Sequence, residues 1–431
     1  MKTKFILFTI LLVFNQGINA QTIEELEKQG DEKFYAGEYD AAVEAYRKLV
    51  AKDPNNIGGV FSLGYALGFS GYQEEGISYL NKAIEMAPDS IAYRFSRGEI
   101  KGYMGNYEDA IEDMLYYINN TEDDIKNTYI LLAQNYIDNF DLKNGEKYLD
   151  LAEKEVDPLP FTYYFNRASL QTKQRDYLKS IQNATKAINM YPAWHRPYFV
   201  RAKSLYEAGK YEKAIQDYDV YLKTAIYDDI AFSNRALAKK QLKDYEGALE
   251  DYNKAISLYS GNAISYLNRA ELYKIMNKID LAYSDLDKAA EIAPNYSRTF
   301  NNRAELFKSQ KKYTQALKDY TKALSIDPND PIYLVNRADC YNRLKKFNLA
   351  LKDAKKSISF DPDDSDTLLT AGVAAYNLSK NQEAIKYFTQ GIAKHPKDGR
   401  HYYFRAETYR EMGNITAAKK DEAKAKSLLT N

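Results

Sequence analysis

A small residue returns along this chain every 34 or 35 positions: Gly30, Gly64, Gly98, Ala133, Ala168, Ala202, Ala236, Ala270, Ala304, Ala338, Gly372 and Ala406. Counted as position 8 of a unit, each is followed twelve residues later by a second small series at position 20. That series runs Ala42, Gly76, Ala110, Gly145, Ser180, Ala214, Ala248, Ala282, Ala316, Ala350, Ala384 and Ala418. A period of this length, sustained from one end to the other, calls for one supersecondary unit built many times over, each burying its apolar side against the next. Two small residues so spaced let two helices of one unit approach closely, because neither presents bulk at the crossing.

The rest of each unit reads as a helical hairpin. In KDYEGALEDYNKAISLYSGN, from Lys243, the apolar residues Tyr245, Ala248, Leu249, Tyr252, Ala255 and Ile256 recur at three- and four-residue steps and form one stripe. Proline stands at many unit ends (Pro54, Pro88, Pro158, Pro192, Pro294, Pro328, Pro362 and Pro396), where its missing N–H stops a helix. Twelve units, starting near residues 23, 57, 91, 126, 161, 195, 229, 263, 297, 331, 365 and 399, fill residues 21–431. The single cysteine, Cys340, rules out an internal disulfide framework, so packing must hold the fold, and 40 tyrosines supply it.

The ninth unit carries Phe300, Ala304, Phe307, Tyr313, Ala316, Tyr320, Ala323 and Pro328. On these residues the chain resembles the tetratricopeptide repeat family, over about the whole of residues 21–431. The third unit departs with Tyr117 where alanine is usual, and the fourth carries an extra residue on each side, shifting Asp157 and Pro158. The resemblance implies an all-α, right-handed solenoid of about twelve helical hairpins. It also implies a concave groove lined by positions 2, 5, 9 and 12 of the first helices.

The N-terminal twenty residues, MKTKFILFTILLVFNQGINA, place Lys2 and Lys4 before an apolar run from Phe5 to Phe14. This is the layout of a secretory signal peptide, and the run is too short to span a bilayer. The expectation is export, to the periplasm or beyond the cell, with the mature chain starting at Gln21. No later stretch is apolar for long enough to act as a transmembrane anchor. Without Lys2 and Lys4 the chain has 58 basic residues against 60 acidic ones, a net charge of −2 that gives no electrostatic reason for a nucleic-acid partner.

Position 7 is arginine in eight units: Arg97, Arg167, Arg201, Arg235, Arg269, Arg303, Arg337 and Arg405. Sixteen residues on stand Asp113, Asn183, Asp217, Asp251, Asp285, Asp319, Asp353 and Asp421, whereas the four units without the arginine have Ala45, Tyr79, Tyr148 and Tyr387 there. The acid occurs only where the base does, the pattern expected of structural ion pairs between the two helices of a unit. The functional alternative is a row of arginines awaiting an anionic ligand.

Position 6 holds Asn166, Asn234, Asn268, Asn302 and Asn336. Asparagine offers both a donor and an acceptor, so a ladder of them can grip the backbone of an extended peptide without reading its sequence. The competing reading has these side chains cap or bridge neighbouring helices, and both stay open on sequence. Phe61, Tyr65, Phe95, Phe165, Phe199 and Tyr206 fall at positions 5, 9 or 12, where the resemblance puts a partner surface, and repeat packing is expected to cover part of them.

One specialised activity of the family, a carboxylate clamp for acidic tails, lacks its residues: the first unit offers Glu27 and Asp31, and Val200 or Phe404 follows Arg196 or Arg400 where a polar residue is needed. Of the three histidines, His195, His395 and His401, none has a metal-ligand spacing, and His195 and His401 are expected in solvent at the starts of first helices. No enzyme and no cofactor is implied. The expected partner is another protein or peptide segment, with a glycan such as peptidoglycan as the alternative that tyrosine-rich grooves allow.

Overall fold

The computed structural model describes residues 21–121 and 125–429; the expected leader at residues 1–20 lies outside them. The described residues form twenty-four helices and no strand, an all-α repeat architecture of consecutive hairpins. They divide into two compact units, one ending at Tyr221 and one beginning at Leu222. In the first unit the opening helices of the six hairpins are Ile23–Tyr35, Ile57–Phe69, Ile91–Tyr103, Lys126–Asp138, Phe161–Lys173 and Arg196–Glu207. In the second they are Asp229–Gln241, Ala263–Ile275, Ser297–Ser309, Pro331–Arg343, Ser365–Asn377 and Gly399–Glu411. No helix among the described residues is long and apolar enough to cross a membrane.

The turn inside every hairpin uses one left-handed residue. Glycine supplies it at Gly37, Gly71, Gly105, Gly209 and Gly413, and Phe140, Arg175, Lys243, Asn277, Lys311, Lys345 and Ser379 adopt it elsewhere. After Gly71, with φ of 94°, the amide of Tyr72 returns to the carbonyl of Leu67, closing a Schellman cap that satisfies an end-of-helix acceptor. Five of the six second-unit first helices open on side-chain caps: Asp228, Asn262, Asp330, Asp364 and Asp398 each accept a backbone N–H.

The two small series meet inside each hairpin. In the second repeat both are glycine, and a Cβ on Gly64 would lie 2.9 Å from the carbonyl oxygen of Gly76 and from the amide of Leu80. Backbone fills that space, so the crossing excludes any side chain. Large rings fill what the small residues leave: Tyr218, Tyr252 and Tyr320, all at position 24, are fully buried.

A second regularity ties hairpins together. Arg201 donates from Nε and Nη2 to both carboxylate oxygens of Asp217, each at 2.7 Å, and Arg303 does the same to Asp319 at 2.7 and 2.8 Å. Arg97 with Asp113, Arg235 with Asp251, Arg269 with Asp285, Arg337 with Asp353, and Arg405 with Asp421 repeat this fork. All seven aspartates are buried. The remaining Nη1 reaches back to position 25 of the preceding repeat: Arg97 to Asn81 at 2.8 Å, Arg201 to Thr185 at 3.1 Å, Arg269 to Asn253 and Arg303 to Asp287 at 2.7 Å. Arg337 and Arg405 reach Thr321 and Thr389 in the same way.

Arg167 departs from the rule, since the residue sixteen on is Asn183, which bonds Gln171 instead. Its guanidinium turns to Asp150, again position 25 of the repeat before, and to Glu153 and the Tyr163 hydroxyl at 2.9 Å. In all these pairs the charge that binding an anion would need is already neutralised.

Candidate functional site

Hollows open on the first-helix face of each unit, and their linings follow the repeat register. In the second unit a cavity of about 600 Å³ is walled by Glu305 and Lys308 of the ninth repeat, Ile332, Val335, Asn336 and Asp339 of the tenth, Asp366 and Leu369 of the eleventh, and Arg400 of the twelfth. These are positions 2, 5, 6, 9 and 12. A smaller neighbour of about 160 Å³ adds Leu267, Glu271, Lys274, Arg298 and Asn302. Carboxylates outnumber bases in the larger cavity, and each base is engaged: Lys308 Nζ donates to Asn336 Oδ1 at 2.8 Å and stands 4.0 Å from Asp339, Arg343 lies 3.4 Å from Asp339, and Arg400 bonds Asp366 at 2.8 Å.

The five asparagines do not form one uniform ladder. Asn336 is held by Lys308 and, at 3.5 Å, by Glu305, and the Asn302 oxygen accepts from Asn301 at 3.4 Å. Both still line hollows. Asn234 and Asn268 are half-buried and carry no side-chain hydrogen bond among the described residues. Asn166 corrects the sequence expectation: it is 3% exposed, and its Nδ2 donates to the carbonyl of Ile130 at 2.9 Å. It bridges the first helices of the fourth and fifth repeats from inside, with no face left for a ligand.

The aromatic strip expected on the first unit is likewise revised. Phe61 stacks on Tyr93 with centroids 4.4 Å apart and on Tyr65 at 5.8 Å, and Tyr65 donates its hydroxyl to Glu99 at 2.9 Å. Burial raises the pKa of Glu99, the Tyr65 hydroxyl opposing it. Phe34 and Phe69 close the cluster around Tyr65. Phe95 packs on Tyr117, and Tyr206 on Tyr211. Phe165 is 5% exposed, edge-on to Trp194. Ring-against-ring contact is the lower-energy use of these surfaces, because it buries both partners at once. Phe165 and Phe199 nonetheless show an edge to a hollow of about 280 Å³, adjoined by one of about 190 Å³ that shares Gln134, Asp138 and Arg196 with it.

His401 overturns the expectation of a solvated ring. It is fully buried, with Nε2 3.0 Å from the Ser365 hydroxyl, Nδ1 without a partner, and a pKa lowered by burial. Gly391 makes the room, since a Cβ there would sit 2.2 Å from the ring. Glycine at position 27, where alanine recurs in other units, was the sequence sign of it. Cys340 is fully buried, and burial pushes its thiol up to about 12, far from the thiolate a nucleophile needs. Among the described residues no group of three or more His, Cys, Asp or Glu side chains could hold a metal ion.

Models of the tetratricopeptide repeat match residues 27–91, 231–262, 263–296, 297–330, 332–364 and 369–425, together more than half of the chain. Among curated proteins none matches. Among solved structures the chain is similar to yeast Tom70, at 17% identity over 93% of this chain and 95% of that one with a TM-score of 0.45. It is similar to the APC/C hetero-tetramer Cut9–Hcn1 at 12% identity, covering 96% and 95%, with a TM-score of 0.49. A repeat protein from Parabacteroides merdae matches at 21% identity over 58% of this chain and 99% of that one, with a TM-score of 0.47.

Proposed function

Since the chain belongs to the tetratricopeptide repeat family, we propose that it is an exported, non-enzymatic binding scaffold that holds an extended or helical segment of a partner protein along its first-helix faces. The observation that carries this reading is the register of the hollows: in both units their walls are built from the same repeat positions, so successive repeats offer successive subsites. Asn234 and Asn268, with amides unspent on the fold, and Asn302 and Asn336 at the hollows supply donors and acceptors for a peptide backbone. First helices packed about 10 Å apart match roughly three residues of an extended chain. The glycan alternative has less support, because most rings that could stack on sugars stack on one another.

Export rests on the N-terminal twenty residues, and N-terminal sequencing of the protein from the cell envelope or medium is expected to begin at Gln21. The scaffold is tested by cross-linked recovery of partners from the native envelope, comparing wild type with Asn268→Ala plus Asn302→Ala. Loss of partners with an unchanged melting temperature supports the asparagine subsites, and undiminished recovery removes them. Retention on insoluble peptidoglycan with no co-purifying protein would favour the glycan.

A further inference from the structure

We propose that the hollow on the first-helix face of the fifth and sixth repeats receives a carboxylate side chain of the partner polypeptide, seated beside an apolar one. This deepens the scaffold reading and rests on it. The hollow, about 280 Å³, is walled on its apolar side by Phe165, Phe199, Val200 and Tyr221. Side chains enter such a volume; a helix, about 10 Å across, does not.

Charge selects the occupant. Lys173, Arg196 and Lys203 stand on the wall against one carboxylate, Asp138, whose Oδ2 already accepts from Gln134 at 2.6 Å. None of the three cations has an ion pair among the described residues. Arg196 lies over the Phe165 ring at 5.3 Å and Lys173 over Phe140 at 3.8 Å, contacts that leave their positive charge uncompensated. Burial lowers the pKa of Lys173, Asp138 opposing it and the Lys203 charge adding a smaller push in the same direction as burial.

A second observation is independent of charge. Ser169 lines the same hollow, is 7% exposed, and its hydroxyl has no hydrogen-bond partner. Buried hydroxyls are almost always paired, because an unpaired one forfeits its hydration for nothing. A carboxylate oxygen entering the hollow accepts that hydrogen bond and offsets part of the cations' charge in one step. The bases stand at positions 2, 9 and 13, with Phe199 and Val200 at 5 and 6, so the arrangement differs from the clamp whose residues are missing. In the large cavity of the second unit Lys308, Arg343 and Arg400 already hold acids, and the same anion finds no vacant base in that cavity.

The test is fluorescence anisotropy of the full chain with a labelled, end-capped peptide alternating glutamate and phenylalanine, beside its glutamine and lysine counterparts. The glutamate peptide is expected to bind about tenfold or more tightly than the glutamine peptide, to weaken with added salt, and the lysine peptide not to saturate. Lys203→Glu, at an exposed position, is expected to fold normally and lose about tenfold, and Ser169→Ala about threefold, while the same charge reversal at Lys254, exposed on a second helix of the second unit, leaves binding unchanged. Equal affinity for the glutamate and glutamine peptides, no binding of the glutamate peptide, or an indifferent Lys203→Glu variant overturns the proposal. Free 3-phenylpropionate binding as tightly as the peptide would assign the hollow to a small anion and overturn it too. If partners remain cross-linked through Asn268 and Asn302 while these peptides fail, acid selectivity alone falls; if both fail, the scaffold reading falls with it.

Discussion

The two units are built from the same hairpin but spend their residues differently. In the first, the groove rings Phe61 and Phe95 pack on Tyr93 and Tyr117 from elsewhere in the repeats, and three bases around Ser169 stay unmatched. In the second, five of six repeats carry the arginine fork, and the bases of the large cavity are matched by acids. The contrast does not follow the forks, since the sixth repeat, which supplies Arg196 and Lys203, also carries the Arg201–Asp217 fork; it lies in which acids stand beside the groove bases. Cations left without an acid are what an anionic ligand reads. One fold thus offers two surfaces of opposite electrostatic preference.

The sharpest way to break this contrast is at the forks. Arg303→Ala strands buried Asp319 and is expected to cost about 3 kcal/mol, read as a lower urea midpoint for the second unit. Arg167→Ala is expected to cost only about 1 kcal/mol, because its partners Asp150 and Glu153 are 52% and 57% exposed. Equal losses would show that the fork adds nothing to an ordinary surface pair. Next come the asparagines: Asn166→Ala, which removes the buried bridge to the Ile130 carbonyl while that carbonyl keeps its helical N–H, should cost about 1.5 kcal/mol. Asn268→Ala should stay within about 0.5 kcal/mol, and similar melting temperatures for the two would erase the distinction between bridge and ladder.

Acid separates the units as well. His401 has a folded-state pKa below its ordinary value, so the unfolded chain takes up the proton first. Its contribution is intact above about pH 6.5 and is lost as pH falls from there toward the folded-state value, by at most about 1.4 kcal/mol per pH unit. Thermal melts between pH 7 and 5 should show the second unit weakening, and His401→Gln should flatten that slope. An unaltered slope would locate the acid sensitivity elsewhere.

The fold was legible because the period alone demands hairpins: small residues at positions 8 and 20 can only be neighbours if two helices cross there, as Gly64 and Gly76 do. The site was less so. Whether an asparagine at position 6 faces inward depends on its neighbour across the repeat boundary, and Asn166 sits against the offset fourth unit. The unmatched state of Lys173, Arg196 and Lys203 depends on which acids come near, which spacing does not encode. The back-link from arginine to position 25, by contrast, is written in the sequence. Acceptors Asn81, Asp150, Thr185, Asn253, Asp287, Thr321 and Thr389 precede arginine-bearing repeats, whereas Arg47, Leu115 and Lys355 precede repeats without one.

That pattern makes Arg97, Arg201, Arg269, Arg303, Arg337 and Arg405 rivets, each pinning two helices of its own hairpin to one of the hairpin before. Within the second unit the row is broken once, between the tenth and eleventh repeats, where Ala371 replaces the arginine and Lys355 turns to Glu383. Under tension along the chain that seam is not left to open first: Leu351, Ala354, Ala371, Ala375 and Phe388 share one core across it, Lys355 pairs with Glu383 at 2.7 Å, and Asn342 donates to the Thr370 carbonyl at 3.0 Å.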